Sequence, residues 1–199
     1  MIKNFCDIDI SKSNIDDFVI LGKEADLNNS IKDKLTVGDG AVIRSFTTIY
    51  SGSKIGNNFN TGHNVLVREN CEIGNNVSIG SNSVIEFKVI IEDNVRLHSK
   101  CFIPEYSILK KYCWLAPGVT LTNSKFPNNK FSKEKLKGVT IEMYAIIGAN
   151  VTILPSILIG KRSLIGAGSV VTKSIPDYEV WAGNPAKKIG ELNQYKDYE

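Results

Sequence analysis

The feature that most constrains this chain is a six-residue period. From Val37 to Leu115 an aliphatic residue recurs at every sixth position, through Ile43, Ile49, Ile55, Val67 and Ile73 onward, without a slip in phase. Thirteen of these fourteen positions hold Val, Ile or Leu, and Thr61 is the exception. The second position of the hexad is often glycine (Gly38, Gly56, Gly62, Gly74, Gly80), and the fifth is small or modest in size (Ala41, Ser53, Cys71, Ser83). A spacing of six is not the three- and four-residue spacing of an amphipathic helix. A fixed short period is the mark of a solenoid, and a hexad of a β-helix. One hexad cannot close a core. Three of them, roughly 18 residues, form one triangular coil whose first-position aliphatics stack on the coils above and below, ~4.8 Å away.

The period breaks once and resumes. Ser124 to Gly138 (SKFPNNKFSKEKLKG) has no hexad pattern and carries Lys125, Lys130, Lys133, Lys135 and Lys137 against Glu134, with Phe126 and Phe131 among them. It reads as a loop extruded from one corner, where function tends to sit on a rigid scaffold. First positions then return at Ile141, Ile147, Ile153, Ile159, Ile165 and Val171. Residues 1–17 read as a polar lead, 18–180 as the β-helix with 124–138 extruded, and 181–199 as a C-terminal tail or short helix. Val19, Ile20 and Leu35 suggest irregular first coils.

Composition excludes several classes. A net charge of +3 is too small to argue for nucleic acid, and no apolar run is long enough to span a membrane. The opening MIKNFCDIDISKS holds acidic residues and no apolar core, so no signal peptide is read and a cytoplasmic location is expected. Cys71, Cys101 and Cys113 all fall at the small fifth position and read as buried hydrophobes rather than disulfides or metal ligands.

Residues eighteen apart stack on one face. The chain's two histidines, His63 and His98, thereby fall on one face two coils apart, roughly 10 Å. The broken rule at Thr61 sits beside Gly62 and His63, in TGHNVLVRE, and a rule broken once is a place to look for function.

The repeat resembles that of the hexapeptide-repeat acyltransferases, and the run Val180-Trp181-Ala182-Gly183-Asn184-Pro185-Ala186 matches that family's terminal signature. The resemblance implies an all-β fold, a left-handed parallel β-helix, assembled as a homotrimer with active sites in grooves between subunits. TGHNVLVRE, and Leu121-Thr122-Asn123 followed by Lys125-Phe126-Pro127, resemble a narrower subgroup: N-acetyltransferases acting on nucleotide-linked amino-deoxy sugars, on dTDP or UDP. Many members carry a second His where this chain has Asn64. The implied activity is acetyl transfer from acetyl-coenzyme A to a sugar amine, for bacterial surface glycan synthesis.

On this reading His63 and Asn123 are the catalytic candidates. Imidazole takes a proton from an attacking amine near neutral pH, or it positions the sugar while the departing thiolate collects the proton. The alternative for His63 is a surface hydrogen bond across the trimer, and for Asn123 a turn-forming role. Asn64, Arg68, Glu69, Glu86 and His98 are candidate substrate contacts, with a solvated ion-pair patch as the plain reading of the charged three. For acetyl-coenzyme A the resemblance points to amides near Gly148, Ala149, Ala167 and Gly168, and to Lys173, Lys187 and Lys188 for the phosphates by charge. A zinc site of the γ-carbonic-anhydrase kind needs three histidines and the chain has two, so no metal is expected. O-acetylation of a sugar or other small hydroxyl acceptor is the nearer alternative, and a non-catalytic β-helix binding module the distant one.

Overall fold

The computed structural model describes residues 3–4, 11–25, 34–128, 130 and 133–194. Each hexad contributes a strand of two residues, such as Glu72–Ile73, and a corner. The sixth-position side chain faces outward and the first faces inward, because side chains alternate along a strand. The parallel register advances by one coil at a time: Glu72 pairs with Ile90 and Ile73 with Ile91. Three flat faces result. Face one carries Val42–Ile43, Asn60–Thr61, Ser78–Ile79, Arg96–Leu97 and Trp114–Leu115. Face two carries Leu66–Val67, Val84–Ile85, Phe102–Ile103 and Thr120–Leu121, and face three carries Lys54–Ile55, Glu72–Ile73, Ile90–Ile91 and Ile108–Leu109. Their sheets hold ten, nine and seven strands.

The first-position column is the core. Ile43, Ile49, Ile79, Ile85, Leu97, Ile103, Leu109 and Leu115 are all sealed from solvent. At the corners the fourth residue takes a left-handed conformation, as at Asn58, Asn64, Asn76 and Asn82 (φ 56–59°). Asn tolerates this region, which explains its recurrence there. The amides form ladders between coils: Asn64 Nδ2 donates to Asn82 Oδ1 (2.9 Å), and Asn58 Nδ2 to Asn76 Oδ1 (3.0 Å). The fifth position is not merely small. Ser53 Oγ donates to the Arg68 carbonyl of the next coil (2.9 Å), Ser83 Oγ to the His98 carbonyl (3.2 Å), and Cys71 Sγ to the Glu86 carbonyl (3.1 Å). These side chains close corner carbonyls that would otherwise be buried without partners.

The coils are joined by a regular ladder. A second-position amide donates to the first-position carbonyl one coil on, as from Gly80 to Leu97 (2.9 Å) and from Gly148 to Ile165 (2.8 Å). Two of the described coil pairings are short of a rung. Phe102 pairs with Thr120 but Ile103 has no partner in that strand, since Pro104 has no N–H to give. Val42 pairs with Asn60 without the second pair, because the Arg44 amide donates to Thr61 Oγ1 (3.0 Å) instead of a carbonyl.

The loop leaves after Thr120–Leu121 and the coil resumes at Thr140–Ile141. Its neck is closed by the Lys137 amide donating to the Asn123 carbonyl (2.9 Å), and Leu115 pairs with Ile147 as though nothing intervened. Phe126 stands two-thirds exposed on it; Phe131 lies outside the described residues. Both chain ends add strands to the sheets. Lys3–Asn4 pairs with Ile20–Leu21, and Asn14–Ile15 with Val42–Ile43, so the polar lead already contributes strands. The C-terminal tail, expected as a short helix or extended segment, is a hairpin of Glu179–Gly183 and Ala186–Glu191 followed by one turn of 3-10 helix, Leu192–Gln194. The cis bond of Asn184-Pro185 lies at its tip. A sheet edge was already present at Leu164–Ile165, which pairs with Val180–Trp181 and draws the tail into strand rather than helix.

Candidate functional site

The candidates fall on two corners that border the same face. The corner between faces one and two carries, coil by coil, Gly62-His63, Gly80-Ser81, His98-Ser99, Ala116-Pro117, Gly148-Ala149 and Gly166-Ala167-Gly168. His63 is exposed, and its backbone is pinned on both sides. Its amide donates to Ser81 Oγ (3.0 Å), and its carbonyl accepts from the Asn82 amide (2.9 Å). His98 lies further along the same corner, half-buried edge-on against Trp114 with ring centres 4.8 Å apart. Burial, then the nearby Arg96 charge, pushes its imidazole below the usual histidine range, which favours the neutral ring. Asn64 sits in the left-handed turn position and its amide is spent on the ladder to Asn82, a structural use of that side chain.

The same corner separates the four small residues named for coenzyme A. The Gly148 amide donates to the Ile165 carbonyl and the Gly168 amide to the Ala149 carbonyl (both 2.8 Å). Those two N–H groups belong to the ladder. At the corner of faces three and one, the equivalent third-position amides find side-chain acceptors, as Asn57 does in Asn75 Oδ1 and Asn75 in Asp93 Oδ1. Ala149 has Ala167 above it, a side chain with no acceptor. Among the described residues the Ala149 and Ala167 amides donate to nothing, and the Ser81 and Ser99 amides further back along the same corner are open in the same way.

The corner between faces two and three carries the charged group. Arg68 binds Glu69 through two nitrogens (2.8 and 3.0 Å), approaches Glu86 (3.6 Å) and lies over the Tyr50 ring (5.2 Å). The hydrogen bond to Glu69 holds the guanidinium above its ordinary pKa. Burial raises the Glu86 carboxyl, helped by Glu105 and Glu69 and opposed by Arg68. Asn123 follows at the loop root, its Nδ2 donating to Glu105 Oε2 (2.5 Å). Among the described residues its Oδ1 has no donor. Sequence reading passed over Tyr50, Glu105 and Trp114. Tyr50 and Glu105 stand eighteen residues from Arg68 and Asn123, a spacing that marks both, whereas Trp114 lies sixteen from His98 and has no such mark.

Lys173 lies over the Trp181 ring (5.0 Å), and the indole donates to Glu179 Oε2 (2.7 Å). Lys188 is held by Glu179 (2.8 Å) and by Glu191. Lys187 is exposed and forms no ion pair among the described residues. A groove of about 580 Å³ lies on face three, lined by Lys54, Glu72, Ile90 and Lys111 among others, and it contains none of the candidates. Among the described residues no group of three or more His, Cys, Asp or Glu is placed to hold a metal, and no helix is long and apolar enough to cross a membrane.

A family model described as bacterial transferase hexapeptide (six repeats) matches residues 52–86 and 138–173. A second, the hexapeptide repeat of succinyl-transferase, matches 70–103. The matched stretches include His63, Arg68, Glu69, Glu86 and His98, and Gly148 to Lys173; the extruded loop lies outside them up to its last residue, Gly138. Galactoside O-acetyltransferase of Escherichia coli K12 is 38% identical over 94 residues, 42% of this chain and 46% of that protein. The Lactococcus lactis protein of the same name is 39% identical over 89 residues, 42% of this chain and 43% of the other. The chain thus spans about half the length of the curated relatives it matches. Among solved structures, a point mutant of AntD, an N-acyltransferase from Bacillus cereus in complex with dTDP-4-amino-4,6-dideoxyglucose and coenzyme A, aligns at 20% identity and a TM-score of 0.49, over 84% of this chain and 90% of that one. By its regular hexads, its three-faced parallel coil and the matched stretches, the chain carries the hexapeptide repeat of bacterial transferases, folded as a parallel β-solenoid that matches left-handed β-helix hexapeptide repeats.

Proposed function

We propose that this protein transfers an acetyl group from acetyl-coenzyme A to the amine of a nucleotide-linked amino-deoxy sugar, as a cytoplasmic homotrimer serving surface glycan synthesis. The observation that carries the reading is the corner of His63. There an exposed imidazole shares one straight line of coils with the open amides of Ala149 and Ala167. The line is four coils long from His63 to Ala149, roughly 19 Å at strand spacing. That is a length suited to the extended pantetheine arm, with the thioester toward His63 and the phosphates toward Lys173 and Lys187.

The acceptor half lies across face two, on the corner of Arg68, Glu69, Glu86 and Asn123. Face two turns Leu66, Val84, Phe102 and Thr120 outward, with no charge among them, and Phe102 keeps 38% of its surface exposed. A threefold arrangement about this face sets the His63 corner of one copy beside the Glu86 corner of the next, because a closed ring joins unlike edges of one patch. The amine then attacks the thioester carbonyl, and the corner amides stabilise the oxyanion. The C–S bond breaks, and the proton leaves the amine for His63 or for the departing thiolate.

Thiol release from acetyl-coenzyme A against matched amino and hydroxy forms of nucleotide sugars tests this. Release with an amino form alone is expected, and His63→Ala and Asn123→Ala should each lower turnover while leaving the trimer intact. Wild-type turnover in both variants would remove those assignments. A second reading, O-acetylation of a sugar, is favoured by the curated relatives named galactoside O-acetyltransferases. Release with hydroxy acceptors alone, and near-complete loss in His63→Ala, would select it, since a hydroxyl needs a stronger base.

A further inference from the structure

Thr61 is a polar side chain, 1% exposed, in a column of aliphatics. Val packs the same position at Val37 and Val67, so size does not demand a threonine. A buried hydroxyl is costly unless bonded. Here it is bonded in a way that changes the backbone. Elsewhere the ladder amide reaches a main-chain carbonyl, as from Gly62 to Ile79 (2.8 Å) and from Arg68 to Ile85 (2.8 Å). From Arg44 it reaches Thr61 Oγ1 (3.0 Å) instead, and the strand pairing loses one register pair at that point. A second hydroxyl joins the first. Thr47 Oγ1 lies 3.4 Å from Thr61 Oγ1, donates to the Gly62 carbonyl (3.3 Å) and accepts from the Val65 amide (3.4 Å). The peptide plane between residues 61 and 62 is thereby released from the ladder on its carbonyl side and fixed through the next carbonyl, one residue before His63.

We propose that Thr61, with Thr47 beside it, is a positioning residue for His63: the Thr61 hydroxyl takes a backbone rung out of the coil, Thr47 holds the Gly62 carbonyl as Ser53 and Ser83 hold theirs, and together they set the orientation of the Gly62-His63 corner. The role rests on the acetyltransferase reading only where it touches turnover. Restoring the rung turns the carbonyl at position 61 back toward Arg44 and carries the imidazole with it.

The test is Thr61→Val, the substitution the column already accepts, with Thr61→Ser as the conservative partner. The chain has two histidines, so carbon-13 labelling of the imidazoles gives two signals, and the silent one is an internal control. Thr61→Val should shift the His63 signal while leaving the His98 signal in place, and Thr61→Ser should keep the His63 signal at its wild-type position. In thiol release, Thr61→Val should lower kcat at least fivefold with little change in KM for acetyl-coenzyme A, and should add nothing to His63→Ala. An unmoved His63 signal in a folded Thr61→Val protein overturns the proposal, as does a loss of turnover that multiplies with that of His63→Ala. If the His63 signal moves but His63→Ala turns over at the wild-type rate, the positioning stands and the catalytic reading of His63 falls.

Discussion

Removing a single backbone hydrogen tests whether the open amides of the His63 corner hold coenzyme A. Ala149 and Ala167 occupy the third position of their corners, the position that Pro117 occupies one coil before Ala149. Asn150 and Gly168 follow them with φ of 55° and 70°. Pro117 is likewise followed by a positive φ, 76° at Gly118, so this corner already accepts proline before its left-handed residue, as a type II turn does. Ala149→Pro and Ala167→Pro therefore delete an N–H that the coil does not use, in a backbone already suited to proline. Stability should hold or rise by about 0.4–1 kcal/mol through the unfolded chain. If one amide bonds a neutral carbonyl of the pantetheine arm, its loss costs about 1 kcal/mol, roughly fivefold in the Kd for coenzyme A. If it faces the oxyanion, kcat should fall by about 10²–10³ with Kd unchanged. Calorimetric titration with coenzyme A separates these from one another, and thermal unfolding separates both from damage to the coil. Unaltered binding and turnover in two stable proline variants would refute the argument that these amides face the cofactor.

Other perturbations follow from the geometry. Burial raises the Glu86 carboxyl, so the native state holds its proton more readily than the unfolded chain, and stability is lost as pH rises from the ordinary carboxylate value through the raised one. Glu86→Gln should raise the melting temperature at neutral pH, a gain that vanishes below about pH 4, while impairing acceptor binding. Asn76→Ala removes two ladder bonds (3.0 and 3.3 Å) and a side chain that tolerates φ of 56°, and should cost about 2 kcal/mol in denaturant. Asn76→Gly should recover about half of that, since it restores the conformation but not the ladder. Burial pushes the Cys71 thiol up to about 12 and Cys101 up to about 11, and Cys113 is also raised. These three should resist alkylation in the native protein and react together on unfolding.

The period of six made the coil, its phase and the loop root legible in the chain itself, because a repeat fixes which side chains stack. It located His63, Arg68, Glu86 and Asn123 on their columns for the same reason. The corners were harder to read. Fifth-position Ser and Cys looked like small fillers, and their role as donors to the next coil depends on which way a corner carbonyl turns. Gly148 and Gly168 looked as open as Ala149 and Ala167. Only the direction of each N–H distinguishes donors spent on the ladder from donors left free. The partner of His98 is Trp114, a contact set by outward packing on face one, where the period imposes no residue type. The C-terminal hairpin escaped notice because an available sheet edge overrode a sequence with no strand alternation of its own.

A parallel coil is a template for its own continuation. Every strand at its end offers the next chain a ready set of donors and acceptors, so an unguarded solenoid can grow like a filament. The hairpin of Glu179–Gly183 and Ala186–Glu191 turns the final strand antiparallel on face one and places Lys187 and Lys188 along it. An incoming parallel coil would meet reversed polarity there, together with charged side chains along the strand. The same strand-adding geometry that builds the molecule is thus turned back on itself at this edge of face one by a change of direction.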